Sequence, residues 1–316
     1  MGDISISVVI PTVFRKESLL RLLESIRDQT KQPYEVIIVC SKYPQEDSLS
    51  EVVRFFGAGS VKLSFLSADV ANVQIQKKLG VEKAACGIIC FLDDDVILEN
   101  NFFLKIEKAF LDFDVDGVQP FIDSFRNDRG IKKLMKIITL LNRSFGEGKI
   151  MASGFPQACF QASKPMLVEF MYGTCCYKSS VFKKKNYFNE EIGVTHLWED
   201  VFLSSRIKKD GHSFLYFPEA KVSHFHEPGG RRTRKSFLAS YVFNHYLLWE
   251  EFVGKKPITR LAFIWAKICY WALFTLQSIK MRNFFETQRG FVLGHKWISR
   301  YRKYGLFPRY DEIEIK

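Results

Sequence analysis

A chain of 316 residues that is 47% hydrophobic and 15% aromatic, with 30 Phe, has core enough for one large or two small domains, and this composition excludes a disordered protein. Its seven cysteines are an odd number without a C-x-x-C pair, which argues against a disulfide framework or zinc module. Met1–Ser7 also lacks the features of a secretory signal, so a reducing, cytoplasmic setting is expected. The net charge of +11 resides in the last quarter: from Gly229 onward 17 Lys and Arg stand against 6 Asp and Glu, while residues 1–228 hold 29 of each sign. Such asymmetry points to a polyanionic partner, either nucleic acid or an anionic membrane surface.

Ile4–Pro11 reads as a buried strand, because β-branched residues run into a proline. ESLLRLLESIRD follows, with Leu19, Leu23 and Ile26 at helical spacing. Tyr34–Cys40 and VKLSFLSA read as the second and third strands. NVQIQKKLGVEKAAC reads as a helix leading into the strand GIICFLDDD, and NNFFLKIEKAF as another amphipathic helix before the short strand GVQPF. Strands alternating with helices of this length predict a mostly parallel sheet covered on both faces. In such sheets ligands bind beyond the carboxyl ends of the strands, where Asp93, Asp94 and Asp95 stand.

Three adjacent carboxylates between apolar segments repel one another and resist losing water. A divalent cation removes both penalties, and oxygen ligands suit Mg²⁺ or Mn²⁺. In an extended segment Asp93 and Asp95 face one way and Asp94 the other. A second group lies in HLWEDVFLSSRIKKDG. There Glu199 and Asp200 open a predicted helix that closes on Lys208, Lys209 and Gly211, so the acids sit at its positive end. Trp198 offers an apolar platform for a sugar ring, and a carboxylate held ionised beside an acceptor hydroxyl serves as general base. The third group is FLYFPEAKVSHFHEPGGRRTRK. A strand ends in His224 and His226 on one face, and a Gly-Gly leads into Arg231, Arg232, Arg234 and Lys235. A histidine completes a metal shell, while arginines on a flexible loop close over phosphates.

VVIPTVFRKESLLRLLESIRDQT, QKKLGVEKAACGIICFLDDD, FMYGTCCYKSSVFKKKNYFNEE and WEDVFLSSRIKKDGHSFLYFPEAKVSH occur in the order and spacing of family 2 glycosyltransferases, which the chain resembles over roughly residues 4–228. The resemblance implies an α/β fold of the GT-A type, a nucleotide-sugar donor, a divalent metal and inversion at the anomeric carbon. It also implies roles. Asp95 would be the principal metal ligand, with Asp93 on ribose or metal and His224 near the metal or diphosphate. Asp94 belongs to the same donor-binding triplet. Pro11, Thr12 and Arg15 match the P-T-x-x-R nucleotide segment, and Lys77 replaces the usual arginine before the K-x-G turn. Gly173 and Thr174 open the acceptor-side G-x-x-x-x-[RK] strand. Asp200 would be the base, with Glu199 and Trp198 on the acceptor side. Two positions depart from the pattern: Cys40 and Ser41 stand where an acid usually reads the nucleobase, and Lys78 stands where asparagine is usual.

The expected organisation is a glycosyltransferase domain over 1–228, with its nucleotide half at 1–121 and acceptor half at 122–228. A basic, helical C-terminal region follows over 229–316. Within that region Ile258–Ile279 is long enough to span a bilayer. At 100° per residue, however, Arg260, Lys267, Thr275, Ser278 and Arg282 cluster on one side, away from Leu261, Phe263, Trp265, Ile268, Cys269, Leu273 and Leu276. A helix lying in the membrane interface, a core helix and a span are all open readings, and Lys267 near the centre disfavours the span. The partners expected are a nucleotide-sugar, a carbohydrate or lipid-linked acceptor and an anionic membrane surface at the inner face of the plasma membrane, with no nucleic acid. The competing classes are a metal-dependent nucleic-acid or phosphoryl-transfer protein and a non-catalytic partner of the same fold. The E-D helix with its tryptophan is a feature that phosphoryl transfer does not need.

Overall fold

The structure is a computed structural model that describes residues 4–41, 46–56, 61–123, 138–139, 148–159, 162–225 and 232–314, with backbone only at 46–49 and 55. The chain divides into two compact units. The first comprises Met1–Arg126, Cys159–Glu190 and Leu203–Glu227. The second comprises Asn127–Ala158, Glu191–Phe202 and Pro228–Lys316. The division at Glu227–Pro228 lies beside the boundary drawn from charge, but two earlier stretches also group with the C-terminal unit. Composition carries no sign of them.

In the first unit the elements run β1 (Ile6–Thr12), α1 (Lys16–Arg27), β2 (Glu35–Cys40), α2 (Glu46–Phe56), β3 (Lys62–Ser67), α3 (Val73–Lys83), β4 (Ile88–Phe91), β5 (Val96–Leu98), α4 (Phe102–Asp112) and β6 (Gly117–Ile122). After the second unit's short hairpin β7 (Lys149–Ile150) and β8 (Pro156–Gln157) come β9 (Met166–Val168), β10 (Cys175–Lys178) and α5 (Ser180–Lys183). Then follow α6 (Glu190–Thr195) and the first turn of α7 (Glu199–Lys209), which from Glu191 to Phe202 group with the second unit, and the rest of α7 and β11 (Phe214–His224), which group with the first. Among the described residues the strands β3-β2-β1-β4-β10-β6-β11-β5 form one sheet, with β9 added on β11. β1 to β4, β6 and β11 run one way, while β5, β9 and β10 oppose them, so the sheet is mostly parallel.

Alternation along the central strands explains why both faces are covered. Val8, Ile10, Val36 and Ile38 point into a core closed by Leu19, Leu22 and Ile26 of α1 and by Phe102, Phe103 and Ile106 of α4. Val9, Ile37, Val39, Ile89 and Phe91 point into the opposite core, which Ile75 and Leu79 of α3 and Leu203 and Ile207 of α7 cover. Because β1, β4, β6 and β11 are parallel, their carboxyl ends share one edge of the sheet. Thr12, the Asp93–Asp95 triplet, Asp123 and His224 all follow those ends.

The second unit is built on α8 (Arg234–Leu248), α9 (Pro257–Lys280) and α10 (Phe284–Tyr304), with a π-helical turn over Trp249–Val253. Its core joins Leu238, Val242, Ala266, Tyr270 and Phe291 to Met151 and Phe155. α10 lies close on α8 because Gly290 and Gly294 have no side chain. A Cβ at Gly290 would sit 2.7 Å from the carbonyl oxygen of Lys235, and one at Gly294 2.7 Å from the Cβ of Val242. The stripe expected on α9 is distributed differently. Phe263 faces the core, and the Lys267 ammonium lies 5.8 Å from its ring centroid, half-buried rather than on the water side. Leu261, Trp265, Ile268, Leu273 and Leu276 do face outward. Aromatic packing between α8 and α9 takes the inward positions, a choice that helical period alone does not make.

Candidate functional site

The residues after the parallel strand ends converge within the first unit. β5 turns back from the aspartates to pair antiparallel with the end of β11, which sets Val96 opposite His224. The Phe225 N–H donates to the Asp95 carbonyl at 2.9 Å, extending that ladder. This return brings the His224 Nε2 to 2.9 Å from Asp95 Oδ1. With Asp93 added, the three residues offer ligand atoms that all lie within 4.8 Å of one another. Burial lowers the affinity of His224 for a proton, but the hydrogen bond to Asp95 and the charges of Asp93 and Asp95 outweigh it, so its pKa is raised. Two carboxylates and an imidazole form a donor set that fits a divalent metal ion, and a dication would answer the same excess of negative charge that raises the pKa of His224.

Asp94 goes the other way, and because Asp94 and Asp95 lie in a turn rather than in extended chain, the turn and not strand alternation sets this. Its carboxylate is 2% exposed and accepts the Thr12 hydroxyl at 2.5 Å. The Arg15 guanidinium donates to it from the side and lies 3.5 Å from Asp95. Burial works against the charge on Arg15, yet Asp94, Asp95 and Asp93 overcome it and its pKa is raised. The connecting loop is tight. Phe14 has φ of 63°, in the left-handed region, and its N–H donates to Thr12 Oγ1 at 2.8 Å. Backbone held there by a bulky residue is strained, and such strain clusters at binding sites. Pro11 is buried in β1 opposite Val39, and Lys77 is buried with its ammonium 5.5 Å from the ring centroid of Phe91.

Two residues that the sequence reading passed over complete this corner. The Gln76 side-chain amide donates to the carbonyls of Thr12 at 2.8 Å and Val39 at 2.6 Å, tying together the ends of β1 and β2. Asp123, at the end of β6, accepts the Ser223 hydroxyl at 2.7 Å and the His224 N–H at 3.3 Å. The signal was a polar side chain on a helix face that must pack, and an acid at a parallel strand end. On the strand leading into β10, Gly173 takes φ of 65° and Thr174 is 1% exposed with no partner for its hydroxyl among the described residues.

In the second unit, Glu199 and Asp200 open α7 as expected, with Arg206, Lys208 and Lys209 in the last turn of that helix. The turn before them is strained: His196 and Trp198 have φ of 54° and 58°, and Leu197 N–H bonds back to the Thr195 carbonyl at 2.7 Å. α8 holds that turn. The Asn244 amide donates to Thr195 Oγ1 at 2.8 Å and to the Leu197 carbonyl at 2.5 Å. Asn244 is fully buried, and a lone amide in the apolar run SYVFNHYLL was its signal. Trp198 sets its ring edge-on to Phe155 at 5.9 Å and 5.2 Å from Tyr241. Arg232 is placed otherwise than the flexible-loop expectation: its guanidinium donates to the Val194 carbonyl at 2.5 Å and to Ser240. Burial lowers its pKa to about 10. Its donors thus join the end of α6 to α8, just before the turn that Asn244 holds. Arg231 lies outside the described residues.

A mostly parallel sheet flanked by helices, with its polar cluster at the carboxyl ends of the strands, places the chain among α/β proteins whose ligand sites lie at that edge. Residues 7–182 match the family model described as glycosyl transferase family 2. The chain belongs to that family, and its fold is the mixed α/β one expected, a mostly parallel sheet flanked by helices. Over 96 residues it is 34% identical to the amylovoran biosynthesis glycosyltransferase AmsB of Erwinia amylovora, which is 30% of this chain and 32% of that one. Among solved structures it is similar to TarS of S. aureus, with a TM-score of 0.49 and 12% identity over 76% of this chain and 39% of TarS. The chain thus spans about a third of the length of that curated relative.

Proposed function

We propose that the protein is an inverting glycosyltransferase that moves a sugar from a nucleotide-sugar, with UDP-linked donors first in order, to an acceptor hydroxyl in cell-surface polysaccharide or glycolipid synthesis. The observation that carries this reading is the Asp93–Asp95–His224 cluster beside the Thr12–Arg15–Asp94 network, at the carboxyl edge of the parallel strands. A polysaccharide-synthesis role has the support of the AmsB similarity.

Asp95, Asp93 and His224 would hold the divalent cation, Mn²⁺ or Mg²⁺. When bound, that ion supplies charge neutralisation for the departing nucleoside diphosphate. Arg15 keeps its charge and adds a fixed donor next to the same edge, and Thr12 and Asp94 lock the loop that carries it. Asp200, matching the E-D motif, takes the proton of the acceptor hydroxyl as that oxygen attacks from the face opposite the leaving group. Glu199 orients the acceptor or its own helix turn. Trp198 is proposed as an apolar platform for the acceptor, and Gly173 and Thr174 keep the acceptor-side role that their G-x-x-x-x-[RK] strand implies. The acceptor is a carbohydrate or a lipid-linked saccharide, met from the cytoplasm at the anionic inner face of the plasma membrane. The domain assignment proposed is catalytic over 1–228 and membrane-directed over 229–316.

Thermal unfolding with UDP and MnCl₂ tests the donor half of the reading. At a ligand concentration of about 100 Kd the native state gains roughly 2.7 kcal/mol. The rise in Tm is expected to need both components and to vanish in Asp95→Asn. A rise of equal size without metal, or retained in Asp95→Asn, removes the cluster from its role. A screen of nucleotide-sugars for released nucleoside diphosphate then identifies the donor.

A further inference from the structure

The outward face of α9 is apolar along most of its length, broken by Thr275, whose hydroxyl accepts from the Gln288 amide at 2.9 Å. Ile258, Leu261, Ile264, Trp265, Ile268 and Trp271 are between 46% and 70% exposed, and Leu276 and Ile279 continue the row at 66% and 60%. At 100° per residue these positions fill one continuous arc that carries no charge, directly opposite the buried Phe263, Ala266 and Tyr270. Met281 and Phe285, 55% and 76% exposed, prolong the patch past the end of the helix. Water-facing helices normally show the reverse pattern, and an exposed apolar surface this long marks an interaction site.

The charge around the face selects its occupant. Between Glu251 and Glu286 there is no acid, and Lys255, Lys256, Arg260, Lys267, Lys280 and Arg282 all fall in that interval. Beside the helix N-terminus lies an open cavity of about 770 Å³, walled by Tyr246, Trp249, Phe263 and Tyr301, with Ile264 of the outward row at its edge. Lys255, Arg260 and Arg302 also line it. The lining acid, Glu250, is answered by an ion pair with Lys255 and by the Tyr246 hydroxyl. Arg260 and Arg302 are exposed and take part in no ion pair among the described residues. A cavity with two uncommitted guanidiniums on aromatic walls has the chemistry of a phosphate site.

We propose that α9 docks the protein on an anionic phospholipid bilayer. Its outward row lies in the boundary between headgroups and acyl chains, and the cavity receives one phosphate-bearing lipid headgroup between Arg260 and Arg302. The helix is long enough to span, 24 residues or about 36 Å. Its inward row is committed to α8 and α10, however, so one face alone is available to lipid. A helix in the interface plane, with aromatic and aliphatic residues on one side and cations along its borders, binds through apolar burial and attraction to anionic lipid together. This inference takes from the proposed function only the membrane location, and its test reads binding without turnover.

The full chain is sedimented with vesicles of 30% phosphatidylglycerol in phosphatidylcholine and with phosphatidylcholine alone. The expected result is binding to the first, at least tenfold weaker binding to the second, and weakening as salt rises. Ile268→Gln combined with Leu276→Gln is expected to lower the partition coefficient by more than tenfold, with unfolding by heat unchanged because neither side chain packs in the core. Arg260→Gln combined with Arg302→Gln should cost about 25-fold on the anionic vesicles, since each cation near the surface contributes roughly fivefold. Soluble glycerol phosphate is the control for the source of the phosphate. If it binds in an Arg260- and Arg302-dependent manner while vesicles do not, the cavity serves a free phosphate and the docking proposal is overturned. It is equally overturned if the chain ignores vesicles but sediments as a dimer that Ile268→Gln with Leu276→Gln dissociates, because the apolar row then covers a second copy.

Discussion

Asn244→Leu separates support of the E-D helix from simple core packing. The amide makes two hydrogen bonds to the turn before Glu199, to Thr195 Oγ1 and to the Leu197 carbonyl. Leucine keeps the volume and removes both. The Thr195 hydroxyl is not stranded, because it still donates to the Ile192 carbonyl at 2.9 Å. The Leu197 carbonyl is left in a half-buried place without its donor. Two bonds at about 1 kcal/mol each, plus about 1–2 kcal/mol for the orphaned carbonyl, make a loss of about 3–4 kcal/mol if the turn keeps its shape. The turn has a second option. His196 and Trp198 hold left-handed backbone angles, each storing on the order of 1–3 kcal/mol, and a turn freed from Asn244 relaxes to release that strain. Stability then falls by less than about 2 kcal/mol while Glu199 and Asp200 move, and a displacement of about 1 Å costs on the order of 10²-fold in rate. Urea unfolding and single-turnover transfer, read on the same variant, distinguish the two responses. If Asn244→Leu changes stability by less than about 0.5 kcal/mol and leaves turnover within twofold, α8 does not hold the turn and the reasoning fails.

Asp200→Asn is expected to lower transfer by about 10²–10⁴-fold while UDP and Mn²⁺ still raise Tm as in the parent, and unchanged turnover would take the base role from Asp200. His245 gives a pH dependence. It is buried between Phe155 and Phe263, donates from Nε2 to the Ser153 carbonyl at 2.7 Å, and burial lowers its pKa to about 3. The unfolded chain protonates near 6.5 while the native one stays neutral, so stability is full above that pH and falls below it. The slope approaches about 1.4 kcal/mol per pH unit near pH 5, and urea titrations of His245→Leu should lack one proton of it. Gly294→Val is expected to force α10 off α8 and cost about 1–3 kcal/mol, measured by thermal unfolding, since the new Cβ would meet Val242 at 2.7 Å; a neutral result would mean the helices separate freely.

The strands and helices of the first unit were legible because each satisfies a local rule: β-branched runs ending in Pro11 or Cys40, helical spacing in Leu19 to Ile26, acids at one end of α7 and lysines at the other. Asp93 and Asp95 do come together, but through the turn at Asp94 and Asp95 rather than through strand alternation. The second unit was less so. α8 has apolar residues on every side because it is buried all round, so it shows no period, and 127–158 and 191–202 group with it through contacts that composition does not encode. Arg232 read as a loop arginine because its partners, Val194 and Ser240, are set by packing.

By itself the sequence determined which residue types occur in what local order, and thereby the strand–helix alternation, the acidic triplet, the E-D helix and the basic last quarter. Only the tertiary structure decided that β5 folds back on β11 to put His224 against Asp95, that Asn244 holds the turn before Glu199, and that α9 turns its charge-free side outward. Each of those depends on residues far apart in the chain meeting in one place. Local propensity cannot specify such meetings, because the free energy that selects them comes from burying one element against another.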